Sequence, residues 1–244
     1  MRGVGLGGAR GEWADYEWFR LDDLPAAPEP RRPERRRPVA SEPVGEPVLP
    51  VAAAEPDPLG DAVGAWLDQD PLWGEGEGAK VLLADLDNLR AGPVRWRARM
   101  SVVVRLARQA DVVGISGQHG AAGRAAPHLA EWAGAVRAVD DGSDLADHEL
   151  LAVAADVPAS AEPLRVVVMS NDGIFADLAE RGRLVVASPG ADALSERLDG
   201  AAADVVDLAA LEGALSRQLA DRLPGPLAEQ LAAALAADDV APVA

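Results

Sequence analysis

The chain of 244 residues has no cysteine, one tyrosine, two phenylalanines, three histidines and a single lysine, Lys80. The absence of cysteine excludes disulfides, thiolate zinc sites, iron–sulfur clusters and cysteine nucleophiles, so any metal must rest on oxygen or imidazole. His119, His128 and His148 fall at no metal-ligand spacing, which leaves carboxylates. With so few rings, a base-stacking platform of the kind RNA-recognition sheets use is not expected. No apolar run reaches the ~18 residues of a membrane span. The opening residues show no apolar segment with a small-residue cleavage site. Neither membrane insertion nor secretion is therefore expected, and a cytoplasmic location is. Phosphate-loop and G-x-S-x-G signatures are also missing, and the glycines of Gly117, Gly120 and Gly123 lack dinucleotide-loop spacing and predict a flexible loop.

What the chain does have is acid: 23 basic against 40 acidic residues, a net charge of −17. Eleven of the 19 prolines lie in residues 1–79, and residues 1–77 are expected to form a largely disordered tail with short helical pieces, such as Leu59–Leu67. Two features of the tail are less random. Trp13, Tyr16, Trp18 and Phe19 form an aromatic segment suited to docking on a protein partner or on the domain itself, and Arg31, Arg32, Arg35, Arg36 and Arg37 form a basic island suited either to touching nucleic acid or to keeping the tail solvated.

From Lys80 onward, short apolar runs alternate with helical segments, the pattern of parallel βα units. Strands are predicted at Lys80–Ala84, Asp111–Ile115, Ala135–Val139, Arg165–Met169, Arg183–Ala187 and Ala203–Val206. Helices are predicted at Val94–Gln109, Ala125–Trp132, Asp144–Ala155, Ile174–Glu180 and Ala191–Leu198. The expected fold is a three-layer α/β/α domain over residues 78–208 with a mainly parallel sheet covered on both faces, followed by C-terminal helices over residues 209–244.

In such sheets the ligand site lies beyond the carboxyl ends of the strands. Those positions are acidic here: Asp85 and Asp87 with Asn88 after the first strand, Asp140, Asp141, Asp144 and Asp147 after the third, and Asp172 after the fourth. Converging carboxylates repel unless a cation lies between them, and hard oxygen donors suit Mg²⁺ or Mn²⁺. Asp144 and Asp147, three apart at a helix start, can face one point. Asp144, Asp172 and Asp192, taken singly, each also fit an ordinary helix N-cap.

The motifs DLDN after the first strand, GSD before a helix, and SNDG-x-F after the fourth strand resemble, in that order, the NYN nucleases of the PIN-like superfamily. The resemblance covers about Lys80 to Leu208. It implies a metal-dependent endoribonuclease that hydrolyses phosphodiesters of single-stranded RNA. It further implies Asp85, Asp144 and Asp172 as metal-holding carboxylates, with Asp147 a further catalytic acid and Asp87, Asn88, Ser170 and Asn171 as supporting residues. The sequence departs from the family pattern in that Ile174 stands where the family carries a second Asp, Asp141 where it carries a basic residue, and a further Asp of the following helix is displaced to Asp147.

A basic stretch flanks the first carboxylates. Residues 80–108 hold seven basic side chains against Asp85 and Asp87, or +5. Arg90, Arg95, Arg97 and Arg99 are thus candidates for RNA contact, with Trp96 available either to stack on a base or to pack on the sheet. One alternative is a PIN-like domain that binds RNA or a protein partner without cutting. Another is a haloacid-dehalogenase-like phosphatase, in which Asp85 of DLDN would be the nucleophile and Asp87 the acid/base. Leu89 in place of that family's Thr, and the lack of lysine after Lys80, weigh against the phosphatase.

Overall fold

The structure, a computed structural model, describes residues 57–69, 72–142 and 144–240. The aromatic segment and the arginine island of the N-terminal tail lie outside the described residues. Six parallel strands form the sheet: β1 (Lys80–Asp85), β2 (Val112–Gln118), β3 (Val136–Val139), β4 (Leu164–Met169), β5 (Gly182–Ser188) and β6 (Asp204–Asp207). Their spatial order is β3-β2-β1-β4-β5-β6, with Ala84 beside Ile115 on one flank and beside Met169 on the other. All six lie where the apolar runs predicted, and the domain is the expected α/β type with helices on both faces.

The alternation of side chains along each strand assigns the two faces. Leu82, Ala84, Val167, Met169, Val185 and Ala187 meet α1 (Pro58–Gln69), α2 (Pro93–Ala107), α3 (His119–Ala125) and α6 (Leu208–Arg222). Val81, Leu83, Val166, Val168, Leu184 and Val186 meet α4 (Leu145–Ala155), the 3₁₀ segment Gly173–Arg181 and α5 (Glu196–Ala201). A last helix, α7 (Gly225–Val240), packs on α6 and α2 and adds Leu235 to the first face.

Three sequence expectations need correction. Helix α1 belongs to the folded domain and not to a tail, because Leu59, Val63 and Leu67 recur every fourth residue and bury one stripe against α2 and α6. The glycine-rich stretch after β2 is no loop. The strand runs on to Gln118 and α3 starts at His119, where Ala121, Ala122 and Ala125 bury one face and Gly120 and Gly123 look outward. The helix predicted over Ala125–Trp132 is accordingly displaced, leaving only a 3₁₀ turn at Ala130–Trp132.

Strands β1, β2 and β3 step away from the centre in one direction and β4, β5 and β6 in the other. The switch point therefore falls between the carboxyl ends of β1 and β4, where connecting loops diverge and leave a crevice.

Candidate metal centre at the switch point

Asp85 ends β1 at this crevice and is 2% exposed. Its Oδ1 accepts the backbone N–H groups of Asp87 (3.0 Å) and Asn88 (3.3 Å), shaping the turn after the strand. Its Oδ2 accepts the Asn88 amide and the Ser170 hydroxyl (3.1 Å), the latter reaching across from the end of β4. Four donors fill the carboxylate's accepting capacity. Burial nevertheless raises its pKa, against the opposing pull of the hydrogen bonds from Asn88, Ser170 and Asp87. Ser170 also accepts the Asp172 N–H at 3.2 Å, so one hydroxyl ties the β1 and β4 ends to the next acid.

Asp144, Asp147 and Asp172 each bring a carboxylate oxygen within 4.8 Å of the others. Asp172 also caps the 3₁₀ segment, accepting the Ile174 N–H at 2.9 Å. Asp144 precedes α4 yet makes no side-chain cap hydrogen bond, and its backbone is left-handed at φ 63°. That conformation costs a non-glycine residue about 1 kcal/mol, and here it accompanies a carboxylate aimed at its neighbours rather than at the helix. Asp192 is no cap either, because Gly190 precedes its 3₁₀ turn. Asp147 lies in the first turn of α4, 7% exposed, and its Oδ1 is buried without a hydrogen-bond partner. Burial first, then the charges of Asp85, Asp172, Asp144 and Asp87, push its pKa up to about 7.

An orphaned buried oxygen, in a group of three carboxylates spaced to share an ion, fits a hard divalent cation such as Mg²⁺ or Mn²⁺. The converging set differs from the sequence-based one. Asp147 joins Asp144 and Asp172, while Asp85, saturated by hydrogen bonds, is not among the three converging carboxylates. Asp177 pairs with Arg197 on the surface, and Ile174 packs on the apolar cluster beneath the second face.

The supporting residues behave as braces. Asp87 binds the Arg90 guanidinium (2.7 Å) and the Gln118 N–H (2.7 Å), joining the β1 and β2 ends. Asn171 accepts the Ser188 hydroxyl (2.6 Å) and donates to the Gly190 carbonyl (3.1 Å), joining β4 to β5. An Asp87 engaged in this way, beside a saturated Asp85, does not suit the nucleophile and acid/base of the phosphatase alternative.

The arginines divide. Arg99 is buried, 4% exposed, forms a two-point ion pair with Glu212 of α6 (2.9 and 3.2 Å), and donates to the carbonyls of Leu89, Arg90 and Pro189. It is a structural strut, which corrects its assignment as an RNA contact. Trp96 is buried in the core under Arg124, whose guanidinium lies 4.2 Å from the ring centroid, so it does not present a free face to a base. Farther along α2, Arg105 pairs with Asp68 and Arg108 with Glu131, so much of the helix's positive charge is matched by distant acids. Arg90 and Arg95 line a cleft of about 480 Å³ with Asn88, Asn171 and Gly190, beside the acidic cluster. Arg97 lines a separate pocket.

Sequence reasoning did not find Glu212. Its only signal was an acid on the apolar stripe of a C-terminal helix, at one turn from Leu208. Comparison with protein-family models, curated proteins and solved structures gives no significant match. No helix among the described residues is long and apolar enough to cross a membrane.

Proposed function

We propose that the chain is a divalent-metal-dependent phosphodiesterase acting on single-stranded RNA, with Asp144, Asp147 and Asp172 as the metal-holding residues. The observation that carries this reading is the unpartnered, buried Asp147 oxygen within 4.8 Å of ligand atoms on Asp144 and Asp172. Bound there, Mg²⁺ or Mn²⁺ would supply positive charge against the phosphate oxygens and acidify water. Asp85 holds the geometry: its hydrogen bonds from Asn88 and Ser170 lock the two strand ends that border the site. Arg90 and Arg95 in the adjoining cleft place cationic groups where a backbone phosphate can be drawn in despite the net charge of −17. Ile174, packed apolarly where the resembled family has an acid, favours a second reading, a module that binds RNA without cutting it.

The test is cleavage of an end-labelled single-stranded RNA with Mn²⁺, Mg²⁺ or EDTA, beside an Asp147→Asn/Asp172→Asn variant. Metal-dependent cutting that the variant loses is the expected result. RNA binding in EDTA with no cutting under any metal would replace this reading with the binding module.

A further inference from the structure

We propose that a second pocket, formed by Trp96, Arg97, Arg124 and His128, seats a backbone phosphate of the same RNA strand away from the scissile bond. This inference rests on the nuclease reading and extends it to the path of the substrate. The pocket holds about 370 Å³ and among the described residues is lined by Ala91, Pro93 and those four, none of them an acid, in a chain of net charge −17. It shares Ala91 with the cleft of Arg90 and Arg95 beside the acidic cluster, so the two openings adjoin across the Ala91–Pro93 segment.

Arg124 is already in place for such a ligand. Its guanidinium stacks over the Trp96 ring at 4.2 Å and donates to the Ala91 carbonyl at 3.1 Å, contacts that fix the group without cancelling its charge. Burial first, and then the charge of nearby Arg97, lower the His128 pKa, with Asp57 the opposing influence. The pocket also borders the first turn of α2, which has Pro93 at its start, no acidic residue and no side-chain cap. The helix dipole there favours an anion. A free anion would need one pocket only. A strand, which repeats its phosphates along its length, can occupy both adjoining openings.

The experiment measures binding by the full chain, in EDTA, of a fluorescein-labelled oligouridylate of about twelve nucleotides. The comparison is with Arg124→Ala/His128→Ala and with Arg124→Lys, after circular dichroism shows each variant folded. The double variant is expected to bind about tenfold more weakly, with the slope of log Kd against log salt reduced by about one, while Arg124→Lys keeps the slope. Inorganic phosphate at millimolar concentration is expected not to displace the oligonucleotide; displacement would assign the pocket to a free anion and overturn the strand path. Equal affinity and slope for wild type and double variant would also overturn it, leaving the nuclease reading to stand on its own Mn²⁺ cleavage assay. A wild-type protein that neither binds nor cuts RNA would remove both.

Discussion

Replacing Asp147 by Asn tests whether the centre is a set of carboxylates held together against their own repulsion. The pKa of Asp147 is pushed up from an ordinary 3.8 to about 7. Below about pH 3 the group is protonated in both folded and unfolded chains and costs almost nothing. Between about pH 4 and 7 the unfolded chain gives up the proton that the folded chain retains, so stability falls as pH rises and levels off above 7. At about 1.36 kcal/mol per tenfold, the full effect would be about 4 kcal/mol. Water at the mouth of the site screens the four neighbouring charges, and the expected figure is about 2 kcal/mol. The amide introduced by Asp147→Asn carries no charge at any pH and can donate to the surrounding carboxylates. In EDTA, urea denaturation should therefore show Asp147→Asn about 2 kcal/mol more stable than wild type at pH 8 and nearly equal to it at about pH 3. Mn²⁺ at pH 8 should stabilise the wild type by mass action and leave the variant almost unmoved. A variant destabilised to the same extent at both pH values, or Mn²⁺ stabilising both proteins equally, would refute the reasoning.

Other expectations separate structural from chemical roles. Asp172→Asn should keep the cap on the Ile174 N–H and its stability while losing Mn²⁺ affinity by calorimetry, whereas Asp172→Ala should lose about 1 kcal/mol of stability as well. Glu212→Ala leaves the Arg99 guanidinium buried without its carboxylate and should cost about 3–5 kcal/mol in urea denaturation. A double replacement, Arg99→Met/Glu212→Leu, should recover most of that loss, because it removes both charges. Gly182→Ala should destabilise by several kcal/mol, measured as a lowered Tm, since φ is +153° and an added Cβ would lie 2.0 Å from the Leu164 carbonyl oxygen at the start of the β4–β5 ladder.

The strands were legible because a parallel sheet buried on both faces leaves unbroken runs such as VVVM and RLVVA, a local signal needing no knowledge of partners. The acids at the strand ends were legible for the same reason, since topology alone carries residues after β1, β3 and β4 to one edge. The charge of α2 was misleading. Arg99, Arg105 and Arg108 look like a solvated basic face in sequence, yet their acids come from Glu212, Asp68 and Glu131. Such long-range pairing leaves no periodic trace. Asp85 and Asp147 exchanged prominence for a related reason. Which carboxylate is saturated and which is left bare depends on donors from Asn88 and Ser170, one three residues and one 85 residues away. The glycines after β2 suggested a loop, but three buried alanines on one side were enough to wind them into α3.

The pairing of Arg99 with Glu212 spans 113 residues and fixes the order in which the site can be completed during synthesis. Arg99 holds the carbonyls of Leu89 and Arg90 after β1 and of Pro189 after β5, and Arg90 and Pro189 both line the cleft. Its counter-charge emerges from the ribosome only after every acid of the candidate metal centre has been made. Until then the nascent domain carries a guanidinium it cannot comfortably bury. The cleft beside the acidic cluster thus stays unset, and a groove assembled in this way comes into being with α6 rather than with the earlier loops that line it.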